Sequence, residues 1–256
     1  MGRTMELLGR WEEADSMFDA AIRSWSSLYG DGHSRIATIR VNQANLAYRR
    51  GDFDAAAAAY REGVVIWRDG GEQMLLGSGL RNLGIIERER GDFVAADSLF
   101  SEAVAVRTAI AGERSAIVSE VYSALAGLRN RQGRHAEAET YARDAQEVLA
   151  ELLAPEHRFV LSSALERGLA LVELDRSDEA VELLEWVYGI FDETLNEADM
   201  NRGRGALWLG TALARTGERQ RARPLIEGAL PILESTLGSD APETVRARQE
   251  LERLTG

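Results

Sequence analysis

The chain contains no cysteine, which excludes disulfides and thiolate chemistry. It also contains no lysine, because all 30 basic residues are arginine. That removes the phosphate-binding lysine of a P-loop and any Schiff-base nucleophile. A GC-rich coding genome accounts for the bias, and every cationic contact is then a planar, permanently charged fork suited to carboxylates. No apolar run reaches the roughly 18 residues of a membrane-spanning helix. The opening residues, Met1-Gly2-Arg3-Thr4-Met5-Glu6, lack the apolar stretch of a signal peptide. These absences fit a cytoplasmic protein with no membrane partner. A basic excess is missing too: the net charge is -12, which argues against a nucleic-acid partner.

Chemistry is equally scarce. The three histidines, His33, His135 and His157, stand in no metal-ligand spacing with Asp or Glu. Gly77-Ser78-Gly79 is not a nucleophile elbow. Glu87-Arg88-Glu89-Arg90 has the pattern of a solvated helix face. The sequence therefore nominates no catalytic residue, metal ligand or cofactor, and the expectation is a protein that is not an enzyme.

What is present is a repeat. Ala14, Ala56, Ala96, Ala138, Ala180 and Ala222 follow one another at intervals of 42, 40, 42, 42 and 42 residues. Five residues before them stand Gly9, Gly51, Gly91, Gly133 and Gly217, with Asp175 the exception. A period of this length marks a solenoid, in which each unit buries its apolar face by stacking on its neighbours. At 45% hydrophobic residues the chain can fill a continuous core.

Ser34 to Arg50 reads as one helix, Gly51-Asp52 as a turn, and Phe53 to Trp67 as a second, amphipathic helix. The next unit repeats the plan, with Phe93 to Ile110 as its second helix. The turn glycine is expected in a left-handed conformation, and Asp52 and Asp92 as N-caps. A second small-residue series, Gly2, Ala44, Gly84, Ala126, Gly168 and Gly210, precedes each turn by seven residues. Glycine inside a helix costs about 1 kcal/mol, so its recurrence implies close helix packing. A third series, Ala21, Gly63, Ala103, Ala145, Val187 and Ala229, does the same for the second helices. Trp25, Trp67, Arg107, Leu149, Phe191 and Leu233 share one slot, which reads as core. Trp186 and Trp208 fall outside it.

Gly91-Asp92-Phe93-Val94-Ala95-Ala96 after Asn82-Leu83-Gly84, and Gly9-Arg10-Trp11-Glu12-Glu13-Ala14, resemble the tetratricopeptide repeat in its longer, kinesin light chain form. Linkers such as Pro155-Glu156-His157 add to the likeness. HEAT and armadillo repeats share the period but not the glycine–aromatic–alanine turn. The resemblance implies an all-α, right-handed superhelical solenoid of antiparallel helix pairs. The units fall at about 1–33, 34–72, 73–114, 115–156, 157–198 and 199–240, forming a single array with a capping helix over 241–256. It also implies a protein-interaction scaffold whose first helices line a concave groove holding an extended or helical peptide. The alternative is a regulatory or oligomerising module of a larger bacterial signalling enzyme or transcription regulator, with self-association a further option. The first unit reaches its small residue already at Gly2, so the natural chain is expected to continue before residue 1.

Periodicity nominates the groove. Asn42 and Asn82 occupy one position of successive first helices, with Asn45, Arg49, Arg81, Arg88, Asn130 and Arg131 nearby. An amide side chain both donates and accepts, so it can hold a peptide backbone, and arginine offers a fork for a carboxylate. In the resembling family an asparagine here contacts peptide. The other reading is that the two asparagines bond between units. At the same position later units carry Ala124, Glu166 and Trp208, among Leu165 and Leu169. That suggests either an apolar groove wall with Trp208 as anchor, or helix packing.

Overall fold

The computed structural model describes residues 11–49 and 51–255, except that the side chains of residues 11, 12 and 49 are outside the description. The small residue Gly2, the turn residue Gly9, the aromatic slot at Trp11 and the side chain of Arg49 therefore lie outside the described residues. The described residues form twelve helices and no strand. They are α1 (Trp11–Tyr29), α2 (Ser34–Arg49), α3 (Phe53–Asp69), α4 (Gln73–Glu89), α5 (Phe93–Ala111), α6 (Ala116–Arg131), α7 (His135–Leu152), α8 (Arg158–Glu173), α9 (Ser177–Thr194), α10 (Met200–Arg215), α11 (Arg219–Leu237) and α12 (Pro242–Thr255). Even-numbered helices from α2 to α10 are first helices of a unit, and the odd ones that follow are second helices. The chain divides into two compact units, Met1–Val121 and Tyr122–Gly256.

The turns take the form the sequence asks for. Gly51, Gly91, Gly133 and Gly217 have φ of 79°, 83°, 72° and 94°, a region closed to most L-residues. Asp52 and Asp92 then cap the second helices, each carboxylate accepting from the backbone N–H three residues on, Ala55 at 3.1 Å and Ala95 at 3.0 Å. The turn that lacks glycine keeps the same geometry: Asp175 has φ 59°, the one positive value at a non-glycine among the described residues. Its side chain is almost fully exposed and makes one long contact, with Arg215 Nη1 at 3.4 Å, so a solvent-screened pair is all that offsets the backbone cost. Asp175→Gly should raise stability by about 0.5–1 kcal/mol and Asp175→Ala should lower it by a similar amount. Urea unfolding of the two variants checks that order.

All six ruler alanines are fully buried. The small residues of the first helices face the side chain four positions after the next ruler alanine. A Cβ on Gly84 would lie 2.6 Å from the Phe100 ring, and one on Gly168 would lie 2.5 Å from Leu184 Cδ2. One on Gly210 would lie 2.5 Å from Ile226 Cγ1 and 3.0 Å from the Ala222 carbonyl oxygen. Glycine is required there because the second helix lies against the backbone of the first. Trp67, Leu149, Phe191 and Leu233 are buried in the shared slot. Arg107, also buried, replaces the apolar residue in one unit, and its guanidinium ties α5 to its neighbours. It donates to the Ile117 carbonyl, to Glu120 Oε2 at 2.9 Å and to Ser78 Oγ at 3.2 Å.

Candidate peptide-binding face

In the first compact unit, α2 and α4 present the two asparagines that share a register position. A hydrogen-bonded row runs between them. Asn82 Nδ2 donates to the Tyr60 hydroxyl at 3.0 Å, and that hydroxyl donates to Asn45 Oδ1 at 2.7 Å. Arg81 continues the row, donating from Nη1 to Asn82 Oδ1 at 2.8 Å and from Nε to the Glu120 carbonyl at 3.2 Å. Tyr60 is fully buried on α3, so its hydroxyl needs these partners. Asn82 and Asn45 thus join α4, α3 and α2. Asn42 differs from them: it is half-buried and bonds to no described residue. Arg88 lies over Glu89, donating from Nη2 at 2.7 Å, and Arg131 is half-buried at the end of α6.

In the second unit the corresponding face is closed by its own charges. Asn130 Nδ2 donates to the Glu166 carbonyl at 2.9 Å and to its Oε2 at 3.0 Å. Arg204 joins Glu166 Oε1 at 3.1 Å to Glu243 Oε1 at 2.7 Å. The chain of bonds therefore crosses α6, α8, α10 and α12. Below it Glu173 takes Arg215 at 3.2 Å and Arg246, which arrives from α12. Arg246 lies 5.5 Å over the Trp208 ring and contacts Glu250 at 3.2 Å. Glu166, Glu243 and Glu250 are buried, and buried carboxylates require such pairing.

This placement corrects part of the sequence reading. Leu165 and Leu169 are buried, and Trp208 retains 6% exposure. All three belong to the helix-packing core of α8 to α11, and Arg246 covers the indole from α12. They offer no apolar groove wall to a ligand. Asn130 is also buried and is spent on Glu166. Sequence reasoning missed Glu166, Arg204, Glu243 and Arg246 as a group. The one available signal was a charged residue, Glu166, standing at a position that is apolar or amide in other units.

The histidines are structural where their roles are visible. His33 and His157, at equivalent linker positions, each use Nδ1 to accept a backbone N–H two residues on, from Arg35 at 3.1 Å and Phe159 at 3.3 Å. His135 Nδ1 lies 3.3 Å from Asn130 Oδ1. Burial holds its pKa below 6.5, the Glu173 carboxylate opposes the shift, and Arg246 adds to it. A depressed histidine pKa means that the unfolded chain takes up the proton first. Stability should therefore fall as pH drops below about 6.5 and level off once the folded state also protonates. The variant His135→Phe, which restores the aromatic of earlier units, should lose less melting temperature between pH 7 and pH 5 than the parent protein. Among the described residues no group of three or more histidine or acidic side chains could hold a metal ion. No helix among them is long and apolar enough to cross a membrane.

Helix pairs joined by left-handed turns, close glycine contacts and polar first-helix faces define an all-α tandem-repeat scaffold. The chain belongs to the tetratricopeptide-repeat family. The model for the MalT-like TPR region matches residues 1–188, and a tetratricopeptide repeat model matches residues 209–243. Solved structures agree on the fold. BtubC (BKLC) from P. vanneervenii is 20% identical, with a TM-score of 0.64, over 90% of this chain and 92% of that one. A Podosopora anserina putative kinesin light chain with nearly identical TPR-like repeats is 23% identical, with a TM-score of 0.57, over 80% of this chain and 98% of that one. The hetero-tetramer Cut9-Hcn1 is 14% identical, with a TM-score of 0.68, over all of this chain and 41% of that one. No curated protein matches the chain.

Proposed function

We propose that the protein is a non-catalytic, cytoplasmic adaptor that binds an extended or helical segment of a partner protein on the first-helix face of residues 34–121. Asn42, Arg81 and Arg88 are the contacts we assign to it, with Asn45 and Asn82 flanking. The observation that supports this most is the contrast between faces. Asn42 keeps both its side-chain donor and its acceptor free of described residues, while in the second unit Asn130 is spent on Glu166 and Glu166 on Arg204. An amide with both functions free suits a peptide backbone, and the arginines favour an acidic segment despite the net charge of -12, since local field steers encounter.

The two asparagines should separate in a mutant pair. Asn42→Ala should weaken partner binding about tenfold and leave the melting temperature unchanged. Asn82→Ala leaves the buried Tyr60 hydroxyl and Arg81 short of a partner, and should cost about 1–2 kcal/mol of stability. Binding by isothermal titration and unfolding by circular dichroism read the two effects. Equal binding in Asn42→Ala and parent would remove the assignment.

A second reading, that the chain is the regulatory or oligomerising module of a larger bacterial signalling enzyme or transcription regulator, is favoured by the match to a model that describes a region. In that case the occupant of the same face is another segment of the larger protein or a second copy.

A further inference from the structure

Each compact unit contains a cleft between a first helix and the second helix that follows it, and the two clefts are built from equivalent positions. Gln43, Ala47, Ala55 and Ala59 line one of about 420 Å³. Arg167, Leu171, Glu179 and Leu183 line the other, of about 390 Å³, with Glu182 and Trp186. Each residue of the second set stands 124 positions after its counterpart, which is three repeat steps. The clefts differ in what lines them.

In the first unit a guanidinium of the chain itself lines the cleft: that of Arg40, which pairs with Glu62 on α3. The counterpart of Arg40 is Ala164 and that of Glu62 is Trp186. The second cleft has therefore lost the guanidinium of the Arg40 position and gained an indole, while Arg167 stands where the first cleft has Gln43. Its remaining charges are not equivalent to one another. Arg167 is held on α7 by Gln146 Oε1 at 3.1 Å and Glu139 Oε1 at 3.4 Å. Glu179 takes Arg176 in a two-pronged contact, both bonds 2.6 Å. Glu182, exposed one turn before Trp186, pairs with no described residue. An indole face and an unpaired carboxylate on successive turns of one helix, over the apolar Leu171 and Leu183, form the environment that attracts a cation with an aliphatic stem.

We propose that the cleft between α8 and α9 receives one basic side chain, arginine or lysine, from a partner protein, with Trp186 as its wall and Glu182 as its counter-charge. This site is separate from the peptide face of residues 34–121, and it stands whether or not that assignment holds.

The test uses the full chain labelled with ¹⁵N, the Trp186 indole signal identified by its loss in Trp186→Phe, and Nα-acetyl-arginine N-methylamide as probe. Titration should shift the Trp186 signal saturably, with a dissociation constant in about the millimolar range. The citrulline analogue, of the same shape without charge, should leave it in place. Glu182→Gln should weaken the arginine probe about fivefold or more with no change in melting temperature, and Asn42→Ala should leave its affinity as it was. An absent or non-saturating shift, an equal response to citrulline, or unchanged affinity in a folded Glu182→Gln protein would overturn the proposal.

Discussion

Replacing Arg107 by leucine should destabilise the protein by about 3–5 kcal/mol, although leucine is what a later unit carries in that slot. The side chain is buried. Its guanidinium is the partner of Glu120, of the Ile117 carbonyl and of the Ser78 hydroxyl. Removing one side of a buried pair leaves the other desolvated and uncompensated. Replacing both sides by apolar groups is far cheaper, because the cost of burying the charges disappears with them. The double variant Arg107→Leu with Glu120→Leu should therefore recover more than half of the single-mutant loss. The coupling between the two changes, measured by urea unfolding of all four proteins, should be about 2 kcal/mol or more. Additive losses would mean that Arg107 acts by packing alone.

Gly168→Leu should be comparably damaging. A Cβ at that position already falls 2.5 Å from Leu184 Cδ2 and 2.6 Å from Cγ, and Leu184 has no exposed surface into which to retreat. The added branches force apart two helices that carry the core of the second unit, at about 3 kcal/mol. Gly168→Ala should cost less, about 1–2 kcal/mol. Pairing it with Leu184→Ala should restore part of that cost, because one repeat earlier the chain places Ala126 and Ala142, both fully buried, at the corresponding positions. Thermal melts of the three variants check the order. A harmless Gly168→Leu would contradict the close helix contact on which the repeat depends.

The parts of this fold that the sequence makes legible are those that recur. The turn glycines and the small residues opposite Phe100, Leu184 and Ile226 each answer a local constraint repeated every 42 residues or so, and repetition exposes them. The aspartate caps at Asp52 and Asp92, by contrast, give way to Arg134, Arg176 and Glu218 without a cap bond in later units. Asp175 is instructive because the backbone keeps its left-handed turn after the glycine is gone. The face was less legible for an equally physical reason. Helical register gives the direction in which Glu166, Trp208 and Asn130 point, but not which long side chains reach them from other units. Arg246 meets Glu173 across 73 residues, and Tyr60, a second-helix residue, unites two asparagines of different first helices. The expected apolar wall at Leu165, Leu169 and Trp208 failed on this point: a cation from α12 covers the indole, and the leucines pack inward.

Photo-cross-linking tests the peptide-face assignment most directly. A photoreactive residue placed at position 42 of α2 should trap the partner in high yield. The same residue at position 94 of α5, whose valine is 83% exposed and belongs to a second helix, should trap little or none. Equal trapping at the two positions, or trapping at 94 alone, would contradict the assignment of the partner to the first-helix face.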